Sequence, residues 1–121
     1  VMAILHLASL SDWLDALVSG EYRVSTKGAT LEDVGFIHAS HPSQLAGVAA
    51  FLYADMEEPL CVLVMDEERI AAGGVRVVEE NGGGGELYPH IYGPIRPEFV
   101  VDVIPAHLDD RGSFTMSGPL G

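Results

Sequence analysis

The chain predicts an α+β domain with a mixed or antiparallel sheet. Two helical segments fall early, between short apolar strands, and the second half reads almost wholly as strand and turn. The sustained strand-helix alternation that a doubly wound parallel sheet needs is missing. With 121 residues, 48% of them hydrophobic, the chain is long enough for one domain with a real core.

Ala3 to Ala8 is a short apolar run interrupted by His6 and reads as a strand. Ser11 then predicts a helix cap, with the helix running from Asp12 to Ser19, Trp13, Leu14 and Leu17 inward, and Gly20 as its stop. Residues 21–34 are polar and aperiodic and read as a long connection. Phe36 to Ala39 is a second short strand. Ser40 and Pro42 open a second helix reaching about Tyr53, with Ala46, Val48, Ala49 and Leu52 as its apolar face.

Leu60 to Met65 is apolar at every position, which predicts a central strand covered on both faces. Asp66 to Ile70 resembles one helical turn, and Val75 to Glu79 alternates like an outer strand. Asn81 and the glycines 82–85 suggest a wide hairpin turn, with Glu86 to Tyr88 returning. Three prolines between Pro89 and Pro97 predict a fixed irregular loop. Phe99 to Ile104 is the last strand, ended by Pro105. Residues 1–106 are thus read as one globular domain and 107–121 as a peripheral or mobile tail, in which His107 receives no role.

Eighteen acidic against six basic residues give a net charge of -12. The charge is spread along the chain, with eight acids and two bases up to Leu60 and ten and four beyond it. Such a field repels phosphate backbones, so nucleic acid is not an expected partner. No apolar stretch approaches the roughly 18 residues of a membrane span, and no secretory pattern opens the chain. A cytoplasmic protein acting on a small molecule is the expectation, its oligomeric state left open. Cys61, the single cysteine, sits in an apolar strand and reads as a small hydrophobe.

His6 shares one strand face with Ile4 and Ala8, and His38 shares one with Phe36 and Ser40. On neighbouring strands both imidazoles could open into one cleft; alternatively each is a core residue satisfied by a backbone carbonyl. His38 and His41 are three apart, but the strand ends between them, so no metal site is expected. Tyr88, His90 and Tyr92 alternate after Glu86 and suit a pocket for a planar ring or sugar, or equally a structural plug. The glycine run lacks the Lys-Ser/Thr ending of a phosphate loop.

Together, the segments from Ile4 to Ala8, Trp13, Gly20 to Tyr22, Gly35 to Ser40 and Gly85 to Ile95 resemble a small bacterial domain family of unknown function, catalogued under the number nine-five-two. A remoter similarity is to the ADP-ribosyltransferase superfamily, particularly its RNA 2'-phosphotransferase branch. There a first-strand histidine and a later His-x-Ser segment line an NAD cleft. His6 corresponds to the first, and His38 with Ser40 to the second. The resemblance implies a split, mostly antiparallel sheet with two main helices and a cleft between its halves. It also implies NAD or ADP-ribose as substrate or ligand, with no further cofactor required, and matches Glu86 to the late catalytic glutamate. The Gly-Thr pair that follows the first histidine in that branch is absent here, as is its basic surface.

The implied catalytic set is therefore His6, His38 and Glu86, with Ser40, Tyr88, His90 and Tyr92 binding the ligand. Three functions compete: transfer or hydrolysis at an NAD-like ligand, a non-catalytic ligand-binding module, and a structural or partner-binding domain with core histidines.

Overall fold

The computed structural model describes residues 3–26, 29–52, 59–81, 85–108 and 114–116. It is α+β, and every strand pairing among the described residues is antiparallel. The larger sheet has the order β1 (Ala3–Ser9), β5 (Leu60–Asp66), β8 (Val100–Leu108), β9 (Phe114–Met116). A three-stranded sheet has the order β4 (Ile37–His38), β7 (Leu87–Tyr92), β6 (Arg76–Asn81). β2 (Val24–Thr26) and β3 (Ala29–Thr30) form a small ribbon.

The two larger sheets meet at one bridge. Leu5 donates to the Ser40 carbonyl at 2.8 Å, and Ser40 donates back to the Leu5 carbonyl at 2.7 Å. β1 and β5 carry one apolar group on each face. Ile4, Ala8, Cys61, Leu63 and Met65 face a core closed by Ile37 and Ile91 of the smaller sheet and by Trp13, Ile70 and Phe99. Leu5, Leu7, Leu60, Val62 and Val64 face a second core under Leu45 and Ala49 of α3 (Leu45–Leu52). Two covered faces explain why the run from Leu60 to Met65 needs no polar residue.

α1 (Leu10–Ser19) starts two residues before the predicted Asp12. Ser9, the last residue of β1, is its cap and accepts from the Asp12 N–H at 3.2 Å, so Ser11 lies inside the first turn. The predicted inner face is corrected accordingly: Trp13 and Ala16 are buried, whereas Leu14 and Leu17 are 52% and 50% exposed. Gly20 ends the helix in the left-handed region, at φ 92°. The connection over 21–34 holds β2, β3 and a one-turn helix, α2 (Leu31–Val34), closed by reciprocal Thr30 and Asp33 hydrogen bonds.

The second helix begins as a 3-10 turn over Pro42–Gln44, after His41 rather than Ser40. Among the described side chains of α3, Leu45 and Ala49 are buried, Val48 is half-buried and Ala46 is exposed; the side chain of Leu52 and the predicted end at Tyr53 lie outside the described residues, as do glycines 82–84 of the predicted turn. The single turn expected after Asp66 is α4 (Glu67–Ala72), capped by the Asp66 carboxylate.

The largest correction is the stretch read as a proline-braced loop. Residues 89–92 are strand, in the centre of the smaller sheet. Pro89 accepts from the Ala39 N–H at 3.0 Å but has no N–H to return, so the β4–β7 ladder stops at His38. Phe99 ends a 3-10 turn (Pro97–Phe99), and β8 continues through Pro105 to Leu108. Pro105 pairs with Cys61 of β5, and the described pairing with β9 runs from Ala106 to Leu108. His107, Leu108 and β9, from the stretch read as a tail, belong to the sheet.

Leu63 is fully buried at the centre of the first core. Leu63→Ala should cost about 2–5 kcal/mol in a urea titration, against about 1 kcal/mol or less for Leu14→Ala. Equal costs would contradict the interior position of β5.

Candidate functional site

The site begins at the seam between β1 and β4. Both backbone groups of Ser40 go to Leu5. Backbone direction repeats every second residue in a strand, so His38 aims its N–H and C=O the same way, where no β1 partner remains. Side chains take the partner's place. The Ser25 hydroxyl accepts from the His38 N–H at 3.2 Å, and His6 Nδ1 donates to the His38 carbonyl at 2.6 Å. Since a carbonyl only accepts, Nδ1 holds the proton and Nε2 is left to accept from the Tyr22 hydroxyl, 3.0 Å away. His6 is 2% exposed, and burial pushes its pKa down to about 4.

The outer face of the smaller sheet gathers the other residues. β4 aligns Ile37 with Ile91 and His38 with His90; β6 sets Arg76, Val78 and Glu80 opposite Tyr92, His90 and Tyr88. Ile37 and Ile91 turn into the core, so His38, Tyr88, His90 and Tyr92 share the other face. Phe36 stacks on His90 with ring centroids 3.9 Å apart and planes 9° apart, and lies 5.6 Å from Tyr92. The His38 ring is 5.3 Å from Tyr88 and 5.7 Å from His90.

Glu80 organises this face. Its Oε1 accepts from the Tyr92 hydroxyl and from His90 Nδ1, the latter at 2.9 Å. Those two hydrogen bonds hold its carboxyl below the usual carboxylate range, and the bond to Glu80 raises the Tyr92 phenol. With Nδ1 turned to the carboxylate, Nε2 is the ring nitrogen directed away from Glu80, on a residue that is 6% exposed. His38 differs: no described residue hydrogen-bonds its ring nitrogens. Burial, then the neighbouring His90, push its pKa down to about 4.

The structure brings His38, Tyr88, His90 and Tyr92 together. His6 touches His38 through the backbone carbonyl, from the side of β1 that faces the core. Glu86 is engaged by Gln44, whose Nε2 donates to its Oε2 at 2.6 Å and to the Leu87 carbonyl at 2.8 Å. The Ser40 backbone is taken up by the bridge to Leu5. His41 turns away from His38 to Glu79 Oε1, 2.7 Å from its Nε2. Phe36, Glu80 and Arg76 were missed. Phe36 shares the parity of His38; Glu80 and Arg76 become visible only when 89–92 is read as strand, since pairing with β6 then aligns them with Tyr88 and Tyr92.

Fold and site together define a small antiparallel α+β domain with an aromatic, carboxylate-bridged histidine face. The chain belongs to the family described as Protein of unknown function (DUF952), whose model matches residues 7–103. It is similar to the crystal structure of protein CC0527 from Caulobacter crescentus, at 25% identity and a TM-score of 0.79, with 93% of each chain covered. The solution structure of CC0527 matches at 25% identity and a TM-score of 0.73, covering 93% of this chain and 91% of that one. No curated protein matches the chain. No helix among the described residues is long and apolar enough to cross a membrane.

His6 and His38 both bind protons less readily folded than unfolded, because burial lowers both from 6.5 to about 4. Between those values the unfolded chain holds more protons, so stability is fully present above pH 6.5 and falls as the pH drops towards 4. Denaturation midpoints across that window, in the wild type and in His6→Asn, should show a shallower loss in the variant. An unchanged slope would contradict neutral burial of His6.

Proposed function

We propose that the outer face of the smaller sheet binds a nucleotide-type ligand, with a planar ring against His38 and Tyr88, and that His90 acts on a hydroxyl held beside it. The observation that carries this reading is the Glu80–His90 pair, which directs the second imidazole nitrogen away from its carboxylate within an aromatic surface. Aromatic rings supply stacking area, and the unbonded His38 nitrogens supply a hydrogen-bonding edge.

NAD and ADP-ribose are the ligands that the remote resemblance to ADP-ribosyltransferases favours. In transfer or hydrolysis at NAD, the bond from the ribose anomeric carbon to nicotinamide breaks and its electron pair leaves with the neutral nicotinamide. The attacking hydroxyl oxygen forms the new bond, and its proton passes to His90 Nε2. Glu80 stabilises the imidazolium that results, as a carboxylate behind a histidine base does. In this reading His6 and Ser40 support the strand that carries His38, and Glu86 has no catalytic part.

A non-catalytic binding module is the second reading, and the half-buried His38 ring with no described hydrogen bond supports it equally. Calorimetry with NAD, ADP-ribose and nicotinamide, alongside an assay of nicotinamide release, separates the two. Binding is expected to weaken about tenfold or more in His38→Ala and Tyr88→Ala with the melting temperature nearly unchanged. Glu80→Gln should slow nicotinamide release more than it weakens binding. Binding without release would leave the module; absence of binding by all three compounds would sink both readings.

A further inference from the structure

We infer that Arg76 anchors a phosphoryl group of the ligand, at the end of the outer face away from His38 and Tyr88; this rests on the reading of that face as a ring-binding surface. The described arginines differ in what they do. Arg23 is tied to Glu21 and Glu32, Arg69 donates to the Glu98 carbonyl, and Arg96 donates to the Gly73 carbonyl. Arg76 makes no hydrogen bond or ion pair with any described residue, and its guanidinium lies over the Tyr92 ring, 5.3 Å from the centroid.

In a chain with eighteen acids against six bases, that is unusual chemistry to leave open. Glu80, four residues along β6 on the same face, is drawn on by Arg76 electrostatically, yet its Oε1 already accepts from Tyr92 and His90. The donors of Arg76 are left for a partner from outside. They border an open groove of about 540 Å³ lined by Ala71, Gly74, Val75, Arg76 and Tyr92. Small residues on one wall leave room for a tetrahedral group, and a guanidinium fork meets two of its oxygens at once.

The length of the face narrows the ligand class. From Tyr88 to Tyr92 is four residues of strand, about 13 Å. Nicotinamide alone cannot reach from the ring end to Arg76, whereas a nucleoside diphosphate or dinucleotide can. The net charge of -12 acts the other way at long range, so only a directed local contact can hold the anion.

Calorimetric titration of the intact chain with adenosine and with ADP-ribose tests this, in wild type, Arg76→Gln and Arg76→Lys. Wild type should bind ADP-ribose about tenfold or more tightly than adenosine. Arg76→Gln should remove that advantage without moving the melting temperature, and Arg76→Lys should restore part of it. ADP-ribose binding that Arg76→Gln abolishes supports the inference whether or not adenosine registers. Equal affinity of the wild type for the two compounds, or an advantage that survives Arg76→Gln, overturns it and leaves the ring-binding reading standing. Binding of neither compound overturns both.

Discussion

The rest of the structure depends on how the backbone of His38 is satisfied where β1 and β4 part. One peptide group on each side of that residue would be buried without a partner if the strands simply separated, a loss of about 1–3 kcal/mol for each orphaned group. Ser25 and His6 stand in for the absent strand. The smaller sheet is thereby joined to the larger one, with a shared core of Ile4, Leu63, Ile37 and Ile91. Its other side is released to carry rings and charge. A histidine serves here because its two nitrogens work in opposite senses, one giving to the carbonyl and the other taking from Tyr22.

Much of the architecture was legible in the sequence for identifiable reasons. The unbroken apolar run from Leu60 to Met65 announced an interior strand, and Gly20 announced the end of α1. The stretch after Tyr88 was misread because proline usually interrupts a ladder, and here it interrupts one: Pro89 ends pairing with β4 while pairing with β6 continues. A local rule about composition could not show that the same residue is a stop on one side of a strand and harmless on the other.

The site was half legible for the same reason. The alternation of Tyr88, His90 and Tyr92 was visible even in a stretch read as a loop, and strand parity grouped His38 with Phe36 and Ser40; in the structure the Phe36 and His38 rings both lie against the His90 ring. What parity could not show is which strand lies beside which, so Glu80 and Arg76 stayed hidden while Glu86, adjacent in sequence, drew attention. Similarity between His6 and His38 was likewise only positional. One is enclosed and hydrogen-bonded at both nitrogens; the other is half-buried among Tyr88 and His90, with no described hydrogen bond to its ring.

Pro89 also limits how the chain can misalign. A slip of β7 by one residue against β4 would move the missing donor opposite a different acceptor and turn Ile91 out of the core, while a slip of two that set Pro89 opposite Ile37 would leave a blank inside the short ladder. Only the observed alignment sets the blank at the ladder's end, next to the point where Ser40 departs to Leu5. The junction between the two sheets thus carries its own alignment mark, read out as hydrogen bonds that can or cannot close.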